Sequence, residues 1–543
     1  MQNKEALSTD AASPVDYQRH GRVGVIRIAN PPVNALSQAV RQGLVDALRQ
    51  ALDDNRTEVI ILMAAGRTFI AGADIREFGK PPQAPVLSEV IAALEASDKP
   101  LVAVLHGTAL GGGLEVALGC HLRIALAGTR VGLPEVKLGL LPGAGGTQRL
   151  PRLAGVEVAL DMITSGRFVD ADEALSHGII DDVASGDDPL TVGLEAAETL
   201  LQGGYAPRRT GHLPAPTADH EACERHRQRL TRDEPYLFSP FRCVDAVEAA
   251  MRLPLVDGLA RERELFVSCM DSPQRAGMIH AFFAARGTHK VPGIADVTSL
   301  TRLGLIGEHP LFEELAKTAD RAGVALIHLD DQGHGTGRDE IEACLLASDL
   351  DAPRDQPLDS ALPRGTLRIR VTSPEGDSEE RGDDFQLVLS PLGVRQPTCE
   401  LVDLAGNPAA AQSLANTFKS LKRLVVATKG NSVMRSLEAA LKDTLKTGDD
   451  APLGAWQAEG WDLSPWYSGP IDADAEALAE ARDPLDLAWQ QAATRLSQAG
   501  WVHRDSDIDV LAIHAFGYPA HLGGPAFRSH ATRQTCPVIE RPL

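Results

Sequence analysis

Gly107-Thr-Ala-Leu-Gly-Gly-Gly-Leu-Glu115 is the stretch on which the fold turns, and it comes just after the apolar run Leu101-Val-Ala-Val-Leu105. A short uninterrupted apolar run before a glycine turn reads as a strand buried on both faces, and the residues from about Leu114 read as a short helix. Strand, glycine turn and helix form the unit of a layered α/β protein. The same rhythm continues towards the N-terminus. Val23-Gly-Val-Ile-Arg-Ile28 and Val59-Ile-Ile-Leu-Met63 read as strands, and Ser37 is placed to cap a helix whose apolar positions Val40, Leu44, Leu48, Ala51 and Leu52 recur at helical spacing.

Three glycines at a helix start let a ligand approach the backbone, where free N–H groups and the helix dipole favour developing negative charge. Glu115 falls in the first helical turn. Two further stretches carry chemistry of the same kind: Gly132-Leu-Pro-Glu135 leads into Lys137-Leu-Gly-Leu-Leu-Pro-Gly-Ala-Gly-Gly-Thr-Gln-Arg149, and Phe69-Ile-Ala-Gly-Ala-Asp-Ile75 is a small-residue turn.

Composition sets the limits within which these motifs act. At roughly 150 residues per domain, 543 residues predict three or four domains. Apolar content of 43% with 23% charged residues is that of a folded globular chain. Lys and Arg number 53 and Asp and Glu 74, a net charge of −21, which argues against nucleic acid or anionic lipid as partners. An anionic substrate would need a local basic island. Cys120, Cys223, Cys243, Cys269, Cys344, Cys399 and Cys536 are far apart and form no C-x-x-C pair, so we expect neither a disulfide scaffold nor a metal site, and a reducing, cytoplasmic compartment. The amino terminus has no apolar run of signal-peptide length and no stretch of ~18 uninterrupted apolar residues occurs, so membrane insertion is not expected.

In order, spacing and wording, the three stretches resemble the crotonase (enoyl-CoA hydratase/isomerase) superfamily over about residues 15 to 190. Asn30-Pro-Pro-Val-Asn-Ala-Leu36 and Ile163-Thr-Ser-Gly-Arg-Phe-Val-Asp-Ala-Asp-Glu-Ala-Leu175 extend the likeness. The resemblance implies a ββα spiral that holds an acyl-CoA thioester, with the backbone N–H groups of Ala73 and Gly112 on its carbonyl oxygen and Glu115 and Glu135 at the two acid/base positions. It also implies substrate contacts from Ala35, Ala71, Asp74, Ile75, Arg76 and Gly143. Arg67, Arg76 and Lys80 are candidates for the basic island that meets the CoA phosphates, while His106 reads as a hydrogen-bonded core residue.

Further along, Gly258-Leu-Ala-Arg-Glu-Arg-Glu-Leu-Phe266, His280-Ala-Phe-Phe-Ala284, Ser506-Asp-Ile-Asp-Val510, Phe516-Gly-Tyr-Pro519 and Gly523-Gly-Pro-Ala-Phe527 resemble the multifunctional β-oxidation enzymes, which fuse a hydratase to a 3-hydroxyacyl-CoA dehydrogenase. A dinucleotide site needs G-x-G-x-x-G after its first strand. Here that strand, Leu303-Gly-Leu-Ile306, leads into Gly307-Glu-His-Pro-Leu-Phe312. His309 and Phe312 stand in the second and third glycine positions, and Asp330 is the ribose-binding candidate. Leu387 occupies the place of the family's catalytic His, Glu400 is the nearest counterpart of its Glu partner, and Met434-Arg435 replaces an Asn-Arg pair.

The expected architecture is therefore α/β: a crotonase domain over 1–200, a linker and helical segment over 201–296, a degenerate Rossmann-like NAD-binding domain over 297–430, and a truncated helical C-terminal domain over 431–543. Residues 351–384, rich in Pro, Asp, Glu and Gly, read as a mobile loop around the strand-like Leu367-Arg-Ile-Arg-Val371, and the five Trp beyond residue 455 read as packing for the terminal domain. The expected function is hydration of trans-2-enoyl-CoA without a required cofactor, with NAD binding doubtful. The alternatives are Δ3-Δ2 isomerisation in the same pocket, a bifunctional hydratase and dehydrogenase, and a non-catalytic acyl-CoA-binding scaffold. A homo-oligomer or a thiolase is the expected protein partner.

Overall fold

The computed structural model describes residues 13–77, 80–203, 208–295, 297–347, 362–375, 382–446, 460–461 and 475–533. The chain divides into two units, Met1–Arg275 and Ala276–Leu543.

In the first unit, strands β1 (Val15–His20) and β2 (Val23–Ile28) form an antiparallel hairpin. Helix α1 (Gln38–Asp53) follows, and the Ser37 hydroxyl accepts a hydrogen bond from the Val40 N–H at its start. Then come β3 (Val59–Ala64), α2 (Leu87–Glu95), β4 (Leu101–Leu105), β5 (Thr108–Leu110), α3 (Gly112–Leu118), β6 (Leu122–Leu126), β7 (Arg130–Gly132), a 3-10 turn (Pro134–Leu138), α4 (Gly146–Ala154), α5 (Val156–Ser165), β8 (Phe168–Asp170), α6 (Ala171–Ser176), β9 (Asp182–Ala184) and α7 (Pro189–Gly203).

Six strands make one sheet in the order β1-β2-β3-β4-β6-β9, and three make a second sheet in the order β5-β7-β8. From β3 to β9 the large sheet is parallel. The chain repeatedly lays one strand in the large sheet, the next in the small one, and then a helical turn, as in β4-β5-α3 and β6-β7 with Pro134–Leu138. This is the ββα spiral. Strands β3 and β4 are buried along their whole length, which is why their sequences are continuous apolar runs rather than alternating ones.

The first unit extends well past the expected boundary at residue 200. Helices α8 (His220–Asp233), α9 (Ser239–Arg252) and α10 (Leu255–Met270) add Ala222, Cys223, Leu230, Cys243, Val244, Ala246, Val247, Leu265 and Cys269 to the same core as β3, β4 and α3. Their apolar stripes require a partner surface, and the ββα spiral supplies it. The polar stretch before α8 is tied down rather than free: Arg209 donates to the carbonyls of Glu95, Ala96 and Ser97.

In the second unit, which opens within α11 (Pro273–Gly287), seven strands lie in the order β11-β10-β12-β13-β14-β15-β16: β10 (Arg302–Ile306), β11 (Ala325–Leu329), β12 (Ala343–Leu346), β13 (Leu367–Thr372), β14 (Phe385–Leu389), β15 (Thr398–Asp403) and β16 (Leu424–Lys429). All pairings are parallel except β14 with β15. Helix α12 (Pro310–Ala322) connects β10 to β11, α13 (Pro408–Ser420) connects β15 to β16, and α14 (Val433–Lys446) follows. Residues 351–361 and 376–381 of the expected mobile loop lie outside the described residues, while its strand-like segment is β13. One core joins Val388, Val402 and Val426 of the sheet to α14 and the terminal helices, and another joins the sheet to α12 and α13. In the terminal core the rings of Trp461, Trp489, Phe516 and Tyr518 meet at 4.6–5.8 Å between centroids, whereas Trp456 and Trp466 fall outside the described residues.

Candidate active site

The glycine turn after β5 is built around Glu135. Gly111 sits at φ 54°, ψ −126°, a left-handed conformation costly to any side chain, and a Cβ placed there would lie 2.9 Å from the Glu135 Oε1. Its N–H donates to the Gly132 carbonyl at 2.8 Å, joining the turn to the end of β7. Gly112 opens α3, so its N–H precedes the first intrahelical bond, which runs from the Glu115 N–H to the Gly111 carbonyl. A Cβ at Gly112 would stand 3.8 Å from the Ala73 nitrogen. The 69–75 turn and the 30–36 segment run side by side, with the Leu36 N–H donating to the Gly72 carbonyl at 2.9 Å and Ala71 donating to the Val33 carbonyl at 3.1 Å. The structure thus brings Ala35, Ala71, Ala73, Gly112, Glu115 and Glu135 into one neighbourhood.

Glu115 is 3% exposed. Its Oε1 accepts from the N–H groups of Ala144 and Gly146, both at 2.8 Å. Burial raises its proton affinity, while those two donors and the charge of Arg149 work against the rise. Arg149 is itself anchored by a buried ion pair with Glu95 at 2.7 Å, which ties α4 to α2. Glu135 has an enclosed Oε2 without a hydrogen-bond partner. Burial first, and then the nearby Glu115 charge, push its proton affinity well above the ordinary carboxylate value. One carboxylate thus receives two donors and the other receives none at one oxygen. That asymmetry gives the two carboxyl groups unlike surroundings within one coupled set of protons.

A residue that the sequence reading did not single out completes this neighbourhood. Glu262, on α10, is 1% exposed. It accepts from the N–H of Gly145 at 2.7 Å, the N–H of Thr147 at 3.1 Å and the Thr147 hydroxyl at 2.5 Å. Phe266, one turn further on, packs against Gly143, where a Cβ would come within 2.4 Å of the ring. Gly258, one turn earlier, packs against Gln148, where a Cβ would come within 2.2 Å of Oε1. The signal was present in the word Gly258–Phe266: an i, i+4, i+8 stripe of glycine, carboxylate and aromatic on one helix face.

The candidate CoA contacts are less tightly gathered. Arg76 is exposed, but its guanidinium is folded onto the buried Asp74, with Nη2 to Oδ2 at 2.6 Å, and its own N–H also bonds Asp74. The start of the 3-10 turn Ile75–Glu77 places the two side chains together. Arg67 and Lys80 are exposed. Ile75 lies in that 3-10 turn. His106 is buried, with Nε2 at 3.1 Å from the Gly66 carbonyl, and burial lowers its proton affinity. Among the described residues no group of three or more His, Cys, Asp or Glu side chains could hold a metal ion.

In the second unit, the turn after β10 is occupied by its own side chains. The His309 Nδ1 accepts from the Leu311 N–H at 3.1 Å, the Phe312 N–H bonds the His309 carbonyl, and the Phe312 ring is buried in the sheet core. Pro310, at the first helical position, has no N–H to offer. Asp330 accepts from the N–H groups of Gln332 and His334. Leu387 is buried in β14 opposite Leu401. Glu400 is fully buried and accepts from the hydroxyls of Thr428 and Ser432 and the N–H groups of Val433 and Met434, so it caps the start of α14.

Comparison with known proteins bears on the first unit. The sequence model of the family described as enoyl-CoA hydratase/isomerase matches residues 18–211. The peroxisomal bifunctional enzyme of Cavia porcellus is 39% identical over 324 residues, covering 57% of this chain and 44% of that protein. The glyoxysomal fatty acid beta-oxidation multifunctional protein of Brassica napus is 38% identical over 304 residues, covering 54% and 42%. The chain thus spans less than half the length of these curated relatives. A crystal structure of an enoyl-CoA hydratase/isomerase from Pseudoalteromonas atlantica T6c is 26% identical, covering 50% of this chain and 96% of that one, with a TM-score of 0.38. With the ββα spiral and the paired glutamates already in place, the matched segment identifies residues 18–211 as a domain of the enoyl-CoA hydratase/isomerase family.

Proposed function

We propose that the first unit is an enoyl-CoA hydratase that adds water across the trans-2 double bond of an acyl-CoA thioester. The observation that carries this reading is the pair of unlike glutamates: Glu115 held by the N–H groups of Ala144 and Gly146, and Glu135 beneath Gly111 with an enclosed, unpartnered oxygen. In this reading the N–H groups of Ala73 and Gly112 receive the thioester oxygen as it gains charge, and two such preorganised donors favour the enolate-like transition state over the ground state. Glu115 accepts a proton from water as its oxygen bonds C3. Glu135 gives a proton to C2. The proton gained by one carboxylate balances the proton lost by the other, and exchange with solvent resets the pair. Proton transfer between the carbons alone would need one carboxylate, so two in unlike environments favour hydration over isomerisation.

The second unit is proposed to work without NAD. The turn Gly307–Phe312 spends its helix-start N–H groups on His309, and the Asp330 carboxylate is engaged by its own turn. Both features oppose a pyrophosphate at the helix start and a ribose at Asp330. The described cysteines are free and buried, in line with the expected reducing, cytoplasmic compartment; among the described residues no helix is long and apolar enough to cross a membrane. The peroxisomal names of relatives make organelle fractionation the direct check. The homo-oligomer or thiolase partner is a proposal tested by light scattering on the purified chain.

The test of function is loss of the conjugated enoyl thioester absorbance on adding purified chain to trans-2-enoyl-CoA, followed by addition of NAD. Hydration without NADH is expected. No loss of absorbance would overturn the hydratase reading, and NADH formed from 3-hydroxyacyl-CoA would overturn the cofactor-free reading of the second unit.

A further inference from the structure

The four residues 144–147 donate to two different glutamates in strict alternation. Ala144 and Gly146 point their N–H groups at Glu115, while Gly145 and Thr147 point theirs at Glu262. The turn that enters α4, with Gly145 in the left-handed region and Gly146 and Thr147 as the first helical residues, is thus held by two carboxyl groups, one from α3 and one from α10. Glu262 lies outside the matched family segment, which ends at residue 211. A buried carboxyl group that accepts three hydrogen bonds fixes the backbone and hydroxyl that supply them.

We propose that Glu262 is a positioning residue of the hydration site, holding the Gly145 and Thr147 N–H groups so that those of Ala144 and Gly146 converge on Glu115 and aim its free oxygen at the attacking water. This rests on the hydratase reading of the same site. It makes α10 part of the working unit, although it follows the spiral by more than 70 residues of chain. Gly258 and Phe266 on the same face set the depth at which Glu262 meets the turn, through Gln148 and Gly143. Gln148 braces the arrangement from the other side, donating to the Thr147 hydroxyl and to the Ala246 carbonyl of α9, both at 2.9 Å.

The carboxylate also acts through its charge. Burial and the Glu115 charge push Glu262 up to about 8, and Glu262 in turn raises the proton affinity of Glu135. The ionisable groups facing this set are Glu115 from α3, Glu135 from the 3-10 turn, Arg149 from α4 with its Glu95 partner from α2, and Cys243 from α9. Arg149 is the cation that opposes the rise at Glu115. Removing one like charge lowers the proton affinity of those that remain.

The experiment compares the full chain with E262Q and E262D, measuring kcat and KM for hydration across pH, and hydrogen exchange of the backbone over 142–149. E262Q keeps the shape and loses the charge. The expected result is a fall in kcat of ~10- to 100-fold with KM within about twofold, since a displaced catalytic group costs rate more than binding. The alkaline limb of the profile should move to lower pH, and exchange over 142–149 should rise. Should E262Q fail to fold, E262D carries the test: it keeps the charge but falls short of the turn, so kcat drops and exchange rises while the alkaline limb stays in place. Unchanged kcat, pH profile and exchange in a folded variant would overturn the positioning role and leave the hydratase reading intact. A parent chain without hydratase activity, whose E262Q variant still loosens 142–149, would overturn the hydratase reading and not the grip on the turn.

Discussion

Glu115 and Glu135 are chemically identical side chains placed in different surroundings. E115Q and E135Q are each expected to lower hydration by ~10²- to 10⁴-fold with the fold retained, the usual worth of a positioned acid or base. Steady-state kinetics alongside thermal unfolding would check both halves of that statement. The sign of the pH response follows from their proton affinities, which burial raises for Glu115, Glu135 and Glu262 alike. A carboxyl group held above its ordinary value of 4.5 contributes stability that is complete below that pH and is lost as pH rises through the native-state value. The parent should therefore lose stability relative to E262Q between about pH 4.5 and pH 8, and unfolding midpoints across that range would show it. Activity should also fall on the alkaline side, where the proton carried by the set is lost. The identity of Glu115 and Glu135 as candidates was legible in the local words around them. Their inequality was not, because the donors to Glu115 come from residues 144 and 146 and depend on how the turn into α4 folds over it.

At the level of elements, α10 decides how residues 142–148 are held. Gly258 lies against the buried, doubly bonded Gln148, so G258V forces atoms into occupied space and should destabilise the chain by ~1–3 kcal/mol, read as a lower unfolding midpoint. Phe266 is the complementary case: F266A removes the ring that walls Gly143 and should cost ~3 kcal/mol or more if the gap does not close. A hydration assay on F266A should show KM rising more than kcat falls, if the ring bounds the acyl pocket. The continuous apolar runs made β3 and β4 readable as buried strands. The helical stripe on α10 was readable as a helix face but not as a part of the site, since periodicity states that a face is buried and not what it is buried against. In the second unit the same limit applies to Glu400, which the family resemblance made the nearest counterpart of a catalytic partner and whose carboxylate accepts from the N–H groups that open α14.

For the whole chain, the two units have separate cores, and the first does not end where its family segment ends. Truncation after residue 211 strips α8, α9 and α10 from the core and exposes the surface they cover, so this fragment should be insoluble or molten, whereas a fragment ending at Arg275 should unfold cooperatively and hydrate enoyl-CoA. Circular dichroism melts of the two fragments separate these outcomes. A 1–275 fragment without activity would place a requirement for the hydratase in the second unit.

By itself the sequence determined the strand, glycine-turn and helix rhythm of an α/β layer, because that depends on local periodicity and φ-permissive residues, while the ββα spiral and the pairing of Glu115 with Glu135 came from the likeness of its motifs to a known family. Only the tertiary structure decided where the first unit ends, which carboxylate receives the donors, and that Glu262 holds the turn that enters α4. Each of these rests on contacts between residues far apart in the chain, and long-range packing leaves no local pattern to read.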